Sequence, residues 1–265
     1  MLNPGQVLQD RYRVARALTS DASGAVYRAW DITLNQPVVI REYPDDPGID
    51  QQDLEELAVR LASLDHPNLV KVSGHFSLPD QGYYLVMPFI EGQNLQQKQK
   101  ESGGTIPLPA LKPWIAQVCD ALQTLHTQPV PVFHGDVQPA NILITPGNNA
   151  VLTGIGTLIK PAAQPAQVSI QQVAASVYAP YEQLTAGTVD ARSDVYSLGA
   201  TLFTLLSGEV PPDSIIRYNG AVLPTVRSLN SSIPPDLSDC IARAMAMEPE
   251  ERYQSTAEMK QRLMA

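Results

Sequence analysis

The chain has 265 residues, enough for one large domain or two lobes around a substantial core. Its 18 Lys and Arg stand against 27 Asp and Glu, a net charge of −9; a phosphate-backbone binder needs a basic face, so nucleic acid is not an expected partner. No run approaches the roughly 18 apolar residues of a membrane span, and the opening M-L-N-P-G-Q-V-L-Q-D-R-Y has no signal-peptide core. A cytoplasmic location is expected, whether for this chain alone or for the cytosolic part of a longer membrane protein.

The first ninety residues read mainly as strands. Tyr12 to Leu18 and Gly24 to Asp31 are two strand-like runs joined by the polar turn T-S-D-A-S, and P-V-V-I-R-E-Y from Pro37 is a third. From Asp50 to Leu64 the period changes: Leu54, Leu57, Ala58, Leu61 and Leu64 recur at helical spacing, with Asp50 and Asp53 as cap and first-turn acid. Leu69 to Phe76 and Gly82 to Met87 are further strands. The segment predicts five strands and one helix.

After E-G-Q-N-L the chain turns helical. Leu111, Trp114, Ile115, Val118, Leu122 and Leu125 mark one amphipathic helix. Asp190 to Leu206 is apolar on most faces, which predicts a central buried helix that Gly208 ends. Leu237, Cys240, Ile241, Ala244 and Met245 mark another, and Ser255 with Glu258 forms a capping-box pattern opening the last. I-L-I and A-V-L-T form a small hairpin turning at Pro146 to Asn149. Cys119 and Cys240, each amid apolar residues at helical spacing, read as buried reduced thiols rather than a disulfide or a metal pair.

Seven segments in order carry a family resemblance: G-A-V-Y-R-A-W-D at Gly24, H-P-N-L-V at His66, Y-L-V-M-P-F-I-E-G at Tyr84, H-G-D-V-Q-P-A-N-I-L-I at His134, Y-A-P-Y-E-Q at Tyr178, D-A-R-S-D-V-Y-S-L-G-A-T-L at Asp190 and P-E-E-R-Y at Pro249. Together they resemble the bacterial Ser/Thr protein kinase family over essentially the whole chain. The resemblance implies an α+β, bilobal protein-kinase-like fold, with a five-stranded N-lobe carrying one helix and a mainly helical C-lobe. The expected boundaries are 1–87 for the N-lobe, 88–92 for the hinge and 93–265 for the C-lobe.

Measured against that family's pattern, the phosphate chemistry is thinned out. Thr19 and Asp21 stand at the first two glycines of the glycine-rich loop, and a carboxylate there faces phosphate with like charge. V-A-I-K becomes V-V-I-R, so Arg41 replaces the nucleotide-gripping Lys, a poor substitute where geometry matters, and Val39 adds bulk beside the adenine position. Leu57 occupies the position of the Glu that aligns the Lys, and the neighbouring Glu56 points about 100° away around the helix. In the catalytic loop Asp136 keeps the place of the base and Asn141 that of one metal ligand. Gln138 replaces the Lys that steadies the transferring group, Gly135 the Arg that reads activation-loop phosphorylation, and Gly154 the metal-binding Asp. Ala175 takes the place of a Thr that positions the acceptor. By contrast His134, Glu182, Asp194 and Arg252 match positions with structural roles: Asp194 would hold the catalytic-loop backbone, Glu182 and Arg252 would form a buried ion pair, and His134 would join Leu61, Val72 and Ile155 in a stack.

Two functional readings follow. The leading one is a pseudokinase, a protein-binding, scaffolding or regulatory module with little or no phosphoryl transfer. The alternative is a divergent Ser/Thr kinase with weak ATP-dependent activity that places metal through Asn141 alone. A third and weaker reading is transfer of another group from a nucleotide bound in an altered pose. No cofactor is expected, the exception being weak, metal-independent ATP binding by the hinge groups of Pro88 and Ile90 with Arg41. The loop 157–177 reads as an ordinary surface loop or as a docking segment for a protein partner whose identity the sequence does not give.

Overall fold

The structure is a computed structural model that describes residues 1–21, 24–44, 51–79, 81–155, 177–185 and 187–265. It divides into two compact units. The first holds residues 1–66 and 70–90, the second residues 67–69 and most of the chain from Glu91 onward.

The first unit is a six-stranded antiparallel sheet with one helix. Strands β1 (Val7–Leu8), β2 (Tyr12–Asp21), β3 (Gly24–Asp31), β4 (Gln36–Tyr43), β5 (Gly74–Leu78) and β6 (Gly82–Pro88) lie in the order β1-β2-β3-β4-β6-β5, and α1 (Gln51–Ser63) carries Leu54, Ala58 and Leu61 into the interior. Alternation along the strands decides which face is buried. Tyr12, Val14, Ala25, Tyr27, Ala29, Val38, Ile40, Tyr84 and Val86 share one face and form a core that Leu2 and Leu8 complete. Inside it the Glu42 carboxylate accepts hydrogen bonds from Tyr27 at 2.7 Å and Tyr84 at 3.1 Å, and the Leu2 amide donates to the Tyr27 hydroxyl at 2.9 Å. The entering segment is thereby tied to the sheet.

Two expectations need correction here. The sheet has six strands rather than five, because Val7–Leu8 pairs with β2, a two-residue strand too short to announce itself in sequence. The expected strand at Leu69 to Phe76 begins at Gly74 instead. Leu69 bridges Leu152, the Leu152 amide donates to the Asn68 carbonyl and Asn68 Nδ2 donates to the Ala150 carbonyl, all within the second unit. The apolar run of Leu69, Val70 and Val72 thus reflects burial, with one isolated bridge in place of a strand ladder. Asp50, the expected helix cap, and the tip of the 19–23 turn lie outside the described residues.

The second unit is built on helices α2 (Leu95–Glu101), α3 (Leu108–His126), α4 (Tyr181–Leu184), α5 (Ala191–Ser207), α6 (Ser214–Tyr218), α7 (Val226–Leu229), α8 (Pro235–Ala244) and α9 (Thr256–Met264). A small sheet, β7 (Gln93–Asn94), β8 (Ile142–Ile144) and β9 (Ala150–Leu152), stands beside them. Every residue of α5 from Ser193 to Leu206 is buried, as its all-round apolarity predicts. Asp190 caps its start through the Arg192 amide, and Gly208, at φ 81°, ends it. At α9 the Ser255 hydroxyl accepts from the Glu258 amide, while the Glu258 carboxylate reaches the Gln254 amide rather than that of Ser255, so only half of the expected box forms. Both cysteines are buried and free, and burial pushes the Cys119 thiol up to about 12.

Arg252 anchors this unit. It is fully buried, pairs with Glu182 through two nitrogens at 2.6 and 3.0 Å, and donates to the carbonyls of Ala246, Met247 and Arg192. Ser193 Oγ adds a third donor to Glu182. Replacing Arg252 by Met strands the Glu182 carboxylate, and the expected loss of stability, read from urea unfolding of the variant, is about 3 to 5 kcal/mol.

Candidate functional site

Within the second unit, residues 132–155 run as a loop, a short helical turn and the β8–β9 hairpin, and α5 fixes the loop from below. Asp194, wholly buried on the first turn of α5, accepts from the amides of His134 and Gly135, both at 2.8 Å, and from His126 Nε2 at 2.7 Å. Burial acts to raise its pKa. The His126 hydrogen bond, attraction to His126 and His134, and the Gly135 amide outweigh that and hold it below the ordinary 3.8. Thr201, two helical turns further along α5, donates its hydroxyl to the Val137 carbonyl at 2.9 Å, and Gln183 Nε2 donates to the Gly135 carbonyl at 2.7 Å. His134 is itself buried: its Nδ1 accepts from the Asp136 amide and its Nε2 donates to the Thr153 carbonyl at 2.8 Å. The loop backbone is consequently tied at four successive residues, 134 to 137.

These ties present Asp136 at the surface of the unit, half-buried, with two amide side chains against it. Gln138 Nε2 donates to Asp136 Oδ1. Asn141 Nδ2 donates to Oδ2 at 2.7 Å and to the Asp136 backbone carbonyl at 2.8 Å. Both carboxylate oxygens are therefore held by neutral donors of the same loop. Gly154 lies against this group at φ 79°, and a Cβ there would sit 2.6 Å from Asn141 Cγ, 2.7 Å from Nδ2 and 2.9 Å from Oδ1. The Asn141 amide occupies the space into which a side chain at 154 would project.

The protein kinase fold implies a magnesium nucleotide, and the residues present do not fit the ion. Gly154 offers no oxygen, and adding a carboxylate there collides with Asn141. Asn141 donates its Nδ2 hydrogens to Asp136 and so keeps only its Oδ1 for a cation, one oxygen where the pattern supplies an Asn and a carboxylate.

In the first unit Arg41, on β4, lies with its guanidinium 5.1 Å from the centre of the Tyr43 ring. Its Nε is buried without a hydrogen-bond partner among the described residues, and no carboxylate pairs with it there. On α1 Leu57 is half-buried and Glu56 is exposed, its carboxylate accepting from Gln52 at 3.3 Å. Thr19 stands opposite Val26 and Asp21 opposite Gly24 in the β2–β3 register. Val39 is half-buried beside Arg41. Pro88 closes β6 and is exposed, Phe89 donates its amide to the Pro37 carbonyl at 3.2 Å, and Ile90 is half-buried. Leu61 and Val72 are buried in this unit, Ile155 and His134 in the other. Ala175 and nearly all of the loop 157–177 lie outside the described residues.

The structure thus brings together Asp136, Gln138, Asn141 and Gly154 on one side of the loop, and His134, Gly135 and Asp194 on the other. Sequence reasoning missed His126, Gln183 and Thr201. Thr201 was detectable, since it follows Asp194 by seven residues on one helix and so shares its face. His126 and Gln183 carried no such signal, because their partners are distant in sequence.

The model of the protein kinase domain family matches residues 12–264. The chain is 32% identical over 274 residues to the serine/threonine-protein kinase PknB of Mycolicibacterium smegmatis, covering 96% of this chain and 43% of that protein. It is 28% identical over 265 residues to the serine/threonine-protein kinase PrkC of Bacillus subtilis, covering 97% and 40% respectively. The chain therefore spans about two fifths of the length of these curated relatives. The crystal structure of the Mycobacterium tuberculosis PknI kinase domain superposes with a TM-score of 0.74 at 21% identity, covering 100% of this chain and 99% of that one. That likeness shows the fold, and with the family match along nearly its whole length, the chain belongs to the protein kinase domain family.

Proposed function

We propose that this chain is a pseudokinase, a kinase-fold module that acts by binding a protein partner, with little or no phosphoryl transfer. The observation that carries the reading is the closed group of Asp136, Asn141 and Gly154. The base position is hydrogen-bonded on both oxygens by neutral amides, the remaining metal-ligand position keeps only its Oδ1 for an ion, and the other metal-ligand position has no side chain. Phosphoryl transfer rests on positioning and charge neutralisation. Losing metal stabilisation worth several kcal/mol removes on the order of 10³-fold in rate at about 1.4 kcal/mol per decade. Arg41 packed on Tyr43 without a carboxylate partner adds to the deficit. Its absence of alignment leaves the hinge groups of Pro88 and Ile90 as the contacts for a weakly bound, metal-independent nucleotide.

A second reading, a divergent Ser/Thr kinase of low activity, is favoured by a different observation. Asp136 and Asn141 are both retained, and the relatives reported above are described as serine/threonine-protein kinases. On that reading Asn141 turns outward to hold a metal ion.

Two measurements separate them. A thermal-shift titration with ATP, alone and with Mg²⁺ or Mn²⁺, is expected to give no metal-dependent rise in Tm; a rise of several degrees on adding the metal supports the kinase. Radiolabelled ATP is expected to leave the protein and added substrate proteins unlabelled, whereas labelling that Asp136→Asn abolishes refutes the pseudokinase. For Gly154→Asp, the left-handed backbone and the contact with Asn141 predict a loss of about 1 to 3 kcal/mol on unfolding and no gain of metal binding.

A further inference from the structure

On the sheet face opposite the core of the first unit, Tyr43, Tyr83, Leu85 and Met87 bury the β4–β6 side, while the β2–β3 side is exposed or half-buried and carries arginines. In β2–β3 Arg13 stands opposite Trp30 and Arg16 opposite Arg28; in β3–β4 Arg28 stands opposite Val39 and Val26 opposite Arg41. Residues paired across strands share a face, as do alternate residues of one strand. Arg13, Arg16, Arg28 and Arg41 therefore lie on one face, the one opposite Tyr27, Ile40 and the rest of the core. They are four of the seven Lys and Arg in residues 1–90 of a chain whose net charge is −9. Among the described residues none of the four has an ion-pair partner. Among the described strand residues with described side chains the register puts no acid on this face, and Glu55 of α1 lies at its buried end, close enough to act on Tyr83.

That arrangement works against stability. Arg16 and Arg28 are directly opposed like charges, a pairing that costs a sheet free energy. Arg28 lies over Phe89, 4.4 Å from the ring centre, and Arg41 over Tyr43, so their planar heads are braced by aromatic rings rather than by acids. Arg13 and Arg16 are exposed.

Resting on the binding-module reading above, we propose that this face docks an acidic, extended segment of a partner protein, with carboxylates at alternate positions. The spacing sets the pattern. The accessible cations fall on two successive rows, at Arg28 and Trp30 of β3, holding the Arg16–Arg28 pair and Arg13, while Arg41, one row further, is held against Tyr43. Rows two residues apart are about 6.8 Å apart, the same interval as side chains i and i+2 of an extended peptide. Guanidinium groups suit carboxylates by their two-pronged donor geometry. The opposed Arg16 and Arg28 become favourable once one carboxylate lies between them.

The test uses the full chain and two fluorescein-labelled peptides of equal composition and charge, Glu-Thr-Glu-Thr-Glu-Thr and Glu-Glu-Glu-Thr-Thr-Thr, read by fluorescence anisotropy at low and moderate salt. The alternating peptide is expected to bind several-fold tighter than the block peptide and to weaken as salt rises. Arg16→Ala/Arg28→Ala is expected to lose about tenfold in affinity while melting no lower than the parent, because the like-charge pair is gone. Equal binding of both peptides, unchanged binding by the variant, no binding at all, or equal binding of a single-stranded DNA oligonucleotide each overturns the proposal. Its failure is distinguishable from failure of the pseudokinase reading. Phosphate labelling refutes that reading whatever the peptides do, and absent peptide binding in an unlabelled chain refutes only this surface.

Discussion

One buried carboxylate organises the functional half of this protein. Asp194 is withdrawn from water on a helix with no exposed face from Ser193 to Leu206, and a charge so placed is tolerable only if donors converge on it. Three do, and two of them are backbone amides of the loop that carries Asp136. The demand of the carboxylate for hydrogen bonds therefore dictates the path of the loop. Thr201 and Gln183 hold the same stretch by its carbonyls, so the backbone is constrained through donors and acceptors alike.

The contacts that hold this scaffold are separate from the groups that phosphoryl transfer would use. The Glu182–Arg252 pair, the Asp194 clamp and the buried His134 all serve the architecture. Two glycines, one on each side of the loop, ease its backbone. Gly135 and Gly154 have positive φ, 73° and 79°, where any other residue pays backbone strain, and the family pattern puts Arg and Asp at these positions.

Much of this was legible in the sequence. The long helices announced themselves by period, the central helix by its lack of a polar face, and the ordered motifs fixed the fold class. Strand limits were less legible: Leu69, Val70 and Val72 make an apolar run like a strand's, but among them only Leu69 pairs, in an isolated bridge. Residue identities at the site were readable as departures from the family pattern, Gly154 above all. What they could not reveal was the compensation, in which Asn141 and Gln138 turn their amides onto Asp136, because side-chain direction depends on space that only the folded chain defines. The arginine face was likewise hidden, since Arg13, Arg16, Arg28 and Arg41 align only once strand register is known.

The seating of Asn141 against the bare backbone at 154 links the two positions. A side chain placed at 154 meets the Asn141 amide first, and displacing that amide removes one of the two donors that steady Asp136, the other coming from Gln138. A change at 154 is therefore felt at Asp136 without touching it.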